Sequence, residues 1–373
     1  MATNTTFNPF ITNAYQSSEY FCGREIETEK LFAALRNGRN VLLMSPRRMG
    51  KTGLIMHTFA SIPAQEAFCL YTDIYKTTCL KEFTENLARA IIGQCGTPTI
   101  RERAIAFLQS LRFSFSADPI TGVPTIGVNV IVPEIEVSLA QVFAYMEQAD
   151  RPVYLAIDEF QQIQFYPDAK VEETLRTYIQ RLKNVHIIFA GSQNHLMLEM
   201  FSSAKRAFYQ SAQTLQLDAL PEDAYFAFCK EKFARHQQAL SQEAFHFLYT
   251  TLFAHTWYIQ SVANRLYEWQ VVDITIEQIQ RAIATLVEEN NFIYQNYCRL
   301  FATNQLRVLR AIAQEREVRE PNKQEFLAQY NLPAGSSVRA AIKVLIDKEF
   351  IYDNLGTLSV YDRFFGIWLT SNL

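Results

Sequence analysis

Glycine and proline are scarce, at 12 each in 373 residues. That scarcity excludes a collagen-like chain or one made mostly of linkers. No apolar run approaches the roughly 20 residues that a membrane-spanning helix needs, so no membrane partner is expected. The opening stretch, MATNTTFNPFITNAYQ, has neither a basic lead nor a continuous apolar segment, and it does not read as a signal peptide. An excess of one charge is missing too: 35 basic residues face 38 acidic ones, a formal net charge of −3. The chain as a whole is therefore not a broad electrostatic surface for nucleic acid, although a local basic face stays open. Six cysteines (Cys22, Cys69, Cys79, Cys95, Cys229, Cys298) form no C-x-x-C and have no histidine at ligand spacing. Reduced thiols in a cytoplasmic protein are the expectation. The six histidines (His57, His186, His195, His236, His246, His255) contain no H-x-x-x-H or H-E-x-x-H, which disfavours a metalloenzyme.

What is present is an ordinary globular composition, 49% hydrophobic and 20% charged. Aromatics reach 13%, with 28 Phe and 18 Tyr, so an aromatic-rich interior is expected. The length suggests two or three domains. After a polar lead-in over residues 1–20, GREIETEKLFAALRNG repeats apolar residues at helical spacing and stops at Gly38. NVLLM reads as a buried strand, SPRRMGKTG as a loop and LIMHTFASI as a helix. Further strands are expected over 67–75, in PVYLAIDEF and in NVHIIFAGS, with helices over 79–95, 98–112, 138–149 and 170–182. FSFSADPITGVPTIGVNVIV, residues 113–132, alternates around turn signals and predicts a β-hairpin insertion. Strands alternating with helices predict an α/β fold, a parallel sheet with helices on both faces. From about residue 216 the strands stop, and 221–291 reads as helices alone. Residues 303–373 read as three helices, 304–315, 322–329 and 336–349, followed by two short strands around an N-L-G turn, the pattern of a winged helix.

Chemistry concentrates in SPRRMGKT, residues 45–52, between a strand and a helix. The phosphate-loop template G-x-x-x-x-G-K-[ST] needs backbone N–H groups turned inward, a Gly before the Lys, and a helix N-terminus that favours anions. Gly50, Lys51 and Thr52 fit, with Pro46, Arg47, Arg48, Met49 and Gly53 completing the cradle. The template's first Gly is Ser45 here, and the loop closes if Ser45 takes an ordinary backbone conformation. Lys51 is expected at the β- and γ-phosphates of ATP or ADP, and the Thr52 hydroxyl on Mg²⁺. Asp158 and Glu159 end a buried strand, where ligands of open α/β sheets bind. Asp158 is the expected second Mg²⁺ residue, and Glu159 the group that polarises an attacking water. The neighbouring strand offers Ser192 first and Gln193 second as the polar group near the γ-phosphate.

FCGREIETEKLFAALRNGRNVLLMSPRRMGKTGL, PVYLAIDEFQQI and IIFAGSQ together resemble the prokaryotic AAA+/STAND-type ATPases often called archaeal-type ATPases, over most of residues 15–373. The resemblance implies a P-loop ATPase core over 1–215, a helical lid over 216–298 and a winged helix over 299–373. It places Phe21, Gly23 and Arg24 beside the adenine. It aligns HTWYIQSVANRL with the lid element over the nucleotide, with His255, Thr256 and Trp257 where Gly and Pro are usual. An arginine at the transition state is taken from Arg206, Arg47 or Arg48. In the winged helix, Arg339 and Lys343 share one face of the third helix, Val338, Ala341, Ile342 and Leu345 the other, and Ser336 and Ser337 are candidate caps. Residues 300–373 hold nine Lys/Arg and eight Asp/Glu, a balance weak for a DNA-binding domain, so protein or intramolecular docking is favoured here and DNA binding is the alternative. Three roles fit: a slow Mg²⁺-dependent ATPase switch with a protein or homo-oligomeric partner, an ATP-gated DNA-binding regulator, and a nucleotide holder that never hydrolyses.

Overall fold

The apolar runs read as strands assemble into one parallel sheet in the computed structural model, which describes residues 7–93, 113–117, 124–128, 132–354 and 356–371. The expected helix over 98–112 lies outside the described residues. Two units are present, Asn13–Leu220, and Pro221–Leu373 together with the N-terminal residues up to Thr12.

The first unit opens with a 3-10 turn (Ser18–Tyr20), α1 (Glu25–Arg36), β1 (Val41–Met44), α2 (Lys51–Ser61), β2 (Phe68–Asp73) and α3 (Leu80–Gly93). The antiparallel pair β3 (Phe113–Ala117) and β4 (Pro124–Val128) follows, then α4 (Val132–Glu147), β5 (Val153–Asp158) and a 3-10 helix (Phe160–Phe165). The unit ends with α5 (Val171–Ile179), β6 (Val185–Gly191), α6 (Asn194–Ser202) and β7 (Gln213–Gln216). The sheet order is β2-β5-β6-β1-β7, all neighbours parallel. Successive strand residues face opposite sides. Leu42, Leu155, Ile157, Ile187 and Phe189 join a core with Phe83, Phe143, Leu175 and Phe201 from α3 to α6. Val41, Leu43, Ala156, Ile188 and Ala190 join a second core with Leu31, Leu35, Leu54 and Ile55 from α1 and α2. Burial on both faces explains why these strands read as unbroken apolar runs. The strand β7 was not expected: QTLQ is largely exposed, and backbone pairing to β1 holds it.

The second unit begins with α7 (Glu222–Ala234), β8 (Ala239–Leu240), α8 (Gln242–Thr251), α9 (Thr256–Glu268), β9 (Asp273–Ile274), α10 (Ile276–Glu289) and α11 (Asn291–Arg299). Residues 221–291 are therefore not purely helical, since β8 and β9 form a two-residue parallel pair too short to leave a sequence pattern. Then come α12 (Thr303–Glu315), α13 (Gln324–Gln329), α14 (Gly335–Asp347), β10 (Ile351–Asn354), β11 (Thr357–Val360) and α15 (Arg363–Ser371). The expected hairpin is antiparallel, and Val318 bridges to Leu358 beside it. The closing helix α15 was not expected. On α14 the buried residues are Val338, Ala341, Ile342 and Leu345, while Arg339 and Lys343 are exposed. Ser336 and Ser337 do not cap it: the helix starts at Gly335, with Ala334 as its N-cap residue. The polar lead-in is corrected too. Phe10 is fully buried against Phe233, 4.4 Å between centroids, and Asn264 Nδ2 donates to its carbonyl at 2.8 Å. Among the described residues no helix is long and apolar enough to cross a membrane, and the cysteines form no disulfide.

Candidate functional site

The loop after β1 turns back on itself through two left-handed residues, Arg48 (φ 62°) and Gly50 (φ 96°). Ser45 is not one of them: it is fully buried, its N–H points at the Gly191 carbonyl (3.5 Å), and its hydroxyl donates to Pro46 O at 3.1 Å. The strain expected at the template's first position has moved to Arg48, so serine is tolerated there. Met49 plugs the loop into the protein, Pro46 and Arg47 are half-buried, and Arg48 is exposed. Gly50 is the N-cap residue of α2 and brings no side-chain cap to its first turn. A Cβ on Gly50 would meet nothing within 4 Å, so the space before the helix is open. An open helix N-terminus with a lysine and a threonine at its start is the environment that a phosphate group favours.

The carboxylates at the end of β5 close around this start. Lys51 Nζ pairs with Asp158 Oδ1 and lies 3.5 Å from Glu159 Oε1, with Lys51 and Asp158 both buried. Thr52 Oγ1 donates to Asp158 Oδ2 at 2.7 Å, and the Tyr71 hydroxyl donates to the same oxygen at 3.0 Å. Burial pulls the Asp158 carboxyl upward, but Lys51, the Thr52 hydroxyl and the Glu159 N–H outweigh it and hold the group below its ordinary value. One strand over, Asp73 sits opposite Asp158 in register. Burial, with the nearby charges of Asp158 and Glu159, raises Asp73 above its ordinary value despite the Tyr75 N–H. Oxygen ligands from a threonine and an ionised aspartate suit a hard cation such as Mg²⁺.

Glu159 occupies a left-handed position (φ 56°), which turns its side chain out of the strand direction. Its Oε2 accepts from Ser192 Oγ at 2.7 Å and from Gln161 Nε2 at 2.5 Å. Arg47 Nε reaches the same Ser192 oxygen at 3.4 Å. Gly191 makes this approach feasible, because a Cβ there would stand 2.6 Å from Gln161 Oε1. Of the two polar candidates, Ser192 touches Glu159, whereas Gln193 becomes the N-cap residue of α6.

Phe21 packs on α2 beside Gly53, whose Cβ would lie 3.2 Å from the ring. It stacks on His57 at 4.4 Å and meets Tyr15 edge-on at 5.8 Å. Burial lowers the His57 imidazole below its ordinary value. Gly23 takes φ 58° and starts the turn into α1. Arg24 is buried in a structural latch: it donates to Glu27 Oε1 and to the Asp218 carbonyl, both at 2.7 Å, tying the start of α1 to the segment after β7. Arg206 is not drawn into the cluster. Its guanidinium pairs with Glu172 and, at 2.8 Å, with Glu199. Trp257 donates to the Thr12 carbonyl at 3.0 Å, and Tyr258 packs edge-on against Phe364, so both serve the packing of their own unit.

Tyr15, His57, Tyr71, Asp73 and Gln161 were not singled out from sequence. Only Tyr71 and Asp73 carried a usable signal, as polar residues near the end of the second parallel strand.

A family described as "Probable winged helix domain" matches residues 292–371. No curated protein matches the chain. Among solved structures, the Walker-type ATPase of Pyrococcus abyssi superposes with a TM-score of 0.66 at 16% identity, covering 97% of this chain and 99% of that one. The ORC2 protein of Aeropyrum pernix, solved as ADPNP–ADP complexes, gives 0.59 at 14% identity, with 99% and 97% covered. The ORC1 protein of the same organism, solved with DNA, gives 0.50 at 14% identity, with 94% and 93% covered. The chain therefore has the fold of Walker-type ATPases with a winged-helix C-terminal part, in agreement with the resemblance carried by its motifs.

Proposed function

We propose that the chain binds ATP with Mg²⁺ in the Ser45–Thr52 loop, hydrolyses it slowly, and works as a nucleotide-driven conformational switch in signalling or regulation. The observation that carries this reading is the buried Lys51–Asp158 pair joined by the exposed Thr52 at the open start of α2, with Glu159 held beside it. Backbone N–H groups of residues 47–52 and the Lys51 ammonium bind the phosphates, and Phe21 with His57 offers an aromatic face to the base. Thr52 and Asp158 hold Mg²⁺, which when bound neutralises charge on the phosphates. Glu159, fixed by Ser192 and Gln161, accepts the proton of the attacking water. Switching is supported by the sharing of Lys51 between Asp158 and Glu159: a phosphate that recruits the ammonium must loosen both carboxylates. In this reading residues 1–215, 216–298 and 299–373 act as core, lid and winged helix.

The deciding experiment measures ATP and ADP binding with and without Mg²⁺ on the wild type and on Lys51→Ala, followed by phosphate release. Tight, Lys51-dependent binding with slow release supports the switch. Fast release points to a motor-like ATPase, and absence of binding sinks the reading.

A second reading is an ATP-gated DNA-binding regulator. It rests on the exposed Arg339 and Lys343 of α14 and on the solved DNA complex of the ORC1 protein. Duplex binding that weakens steeply with salt and depends on both residues would favour it.

A further inference from the structure

Far from the phosphate loop in sequence, and wholly inside the second unit, lies a cavity of about 330 Å³. Thr251, Phe253, Gln314, Arg316, Arg363 and Ile367 line it, and no carboxylate does. The two arginines are arranged around one ring: the Arg316 guanidinium carbon lies 4.7 Å and that of Arg363 4.3 Å from the Phe253 centroid. Arg316 uses one nitrogen to close the end of α8, donating to the carbonyls of Thr250 at 3.0 Å and Thr251 at 2.9 Å. Arg363 donates to the Val360 carbonyl at 3.1 Å, and its buried Nε has no partner. Among the described residues neither arginine forms an ion pair with a carboxylate. The nearest acid in sequence, Asp362, is engaged by the Tyr258 hydroxyl at 3.2 Å and the Phe365 N–H at 3.1 Å.

Two guanidiniums brought to one cavity whose lining holds no carboxylate repel one another, and the Glu317 carboxylate, which acts on Arg363, forms no ion pair with it. Burial pushes the Arg363 guanidinium below its ordinary value; Tyr258, the Glu317 carboxylate and Tyr352 act against that shift without reversing it, and the Arg316 charge adds the smallest push in the same direction as burial. A ring face relieves such charges only in part. A dianionic group with several acceptor oxygens matches the pair in charge and in fork geometry. The remaining wall, with Phe253 and Ile367, is apolar, and the volume is that of a small organic molecule.

We propose that this cavity binds a small organic phosphate, its phosphate between Arg316 and Arg363 and its apolar part against Phe253 and Ile367. The site is independent of the phosphate loop and stands whether or not the chain is an ATPase.

The test is calorimetric titration of phenyl phosphate into the full chain carrying Lys51→Ala, which weakens phosphate capture at the loop. One molecule bound per chain is expected, with affinity falling at least 10-fold in Arg316→Gln and in Arg363→Gln on that background. Arg316 is exposed, so its replacement keeps the fold, and Arg363→Lys serves as a milder second variant. Affinity unchanged by both glutamine variants overturns the proposal. Benzoate binding as tightly as phenyl phosphate overturns the choice of phosphate. Duplex DNA being the only probe whose binding needs Arg316 overturns the small-molecule site.

Discussion

Two cationic side chains, the buried Lys51 of the first unit and the half-buried Arg363 of the second, are treated in opposite ways. In the first unit Lys51 is surrounded by acceptors, with Asp158 against it and Glu159 at 3.5 Å. In the second unit Arg363 has one backbone carbonyl, an aromatic face, another cation and the charge of Glu317, with which it forms no ion pair. A paired charge costs little to keep and much to break, whereas an unpaired one carries its desolvation without return. Lys51 is thus held in place until a stronger anion competes for it, and Arg363 is set up to gain from the first anion that fits.

The largest effect that sharpens this contrast is on turnover. Glu159→Gln keeps the shape beside Lys51 but removes the proton acceptor. It should leave ATP affinity near that of wild type and lower phosphate release roughly 10²–10⁴-fold. Ser192→Ala removes one of the two bonds that orient Glu159 and should cost about 10-fold by the same assay. Unchanged release in Glu159→Gln would remove Glu159 from the role of proton acceptor, and no release from either protein would leave only a protein that holds nucleotide.

Next comes stability. Asp158→Asn takes the closest counter-charge from Lys51, and the loss should be about 3 kcal/mol at pH 7, at the low end for a broken buried pair because Glu159 remains. Arg363→Met keeps the length over Phe253 and discards an unpaired charge, so its change should stay within about 1 kcal/mol in either direction. Urea melts of both variants test the comparison directly, and equal losses would break it. The acid limb gives the sign. Asp158 is held below its ordinary value, so its contribution is present above that value and disappears as pH falls through the lower, folded one. The gap between wild type and Asp158→Asn should therefore close below pH of about 4.

The two regions also differ in how far their sequences expose them. The phosphate loop, the acidic strand and Ser192 were legible because each lies at the end of an apolar strand, and parallel strands bring such ends together. The winged helix was legible through the period of Val338, Ala341, Ile342 and Leu345. What stayed hidden had no local pattern. β7 is an exposed edge strand held by backbone bonds, Gln161 depends on the missing side chain of Gly191, and Phe10 packs beside residues far along the chain. The cavity is hidden for the same reason, since Phe253, Arg316 and Arg363 come from three separate elements and only the packed unit joins them.

The smallest prediction carries the contrast between strained and satisfied groups into the loop itself. Ser45 stands where the template has glycine, yet its backbone is ordinary, and Arg48 takes the left-handed conformation instead. Ser45→Gly then gains no relief of strain, loses the bond to Pro46 O and frees the unfolded chain, so it should destabilise by about 0.5–1 kcal/mol. Arg48→Gly removes a Cβ at φ 62°, where an L-residue carries a penalty of about 1–2 kcal/mol, and this offsets the added freedom of the unfolded chain. It should be neutral or stabilising by up to about 1 kcal/mol. Opposite directions in thermal melts of the two variants place the strain at Arg48. A stabilising Ser45→Gly would return it to the template's first position, and the loop would then need glycine where this sequence has serine.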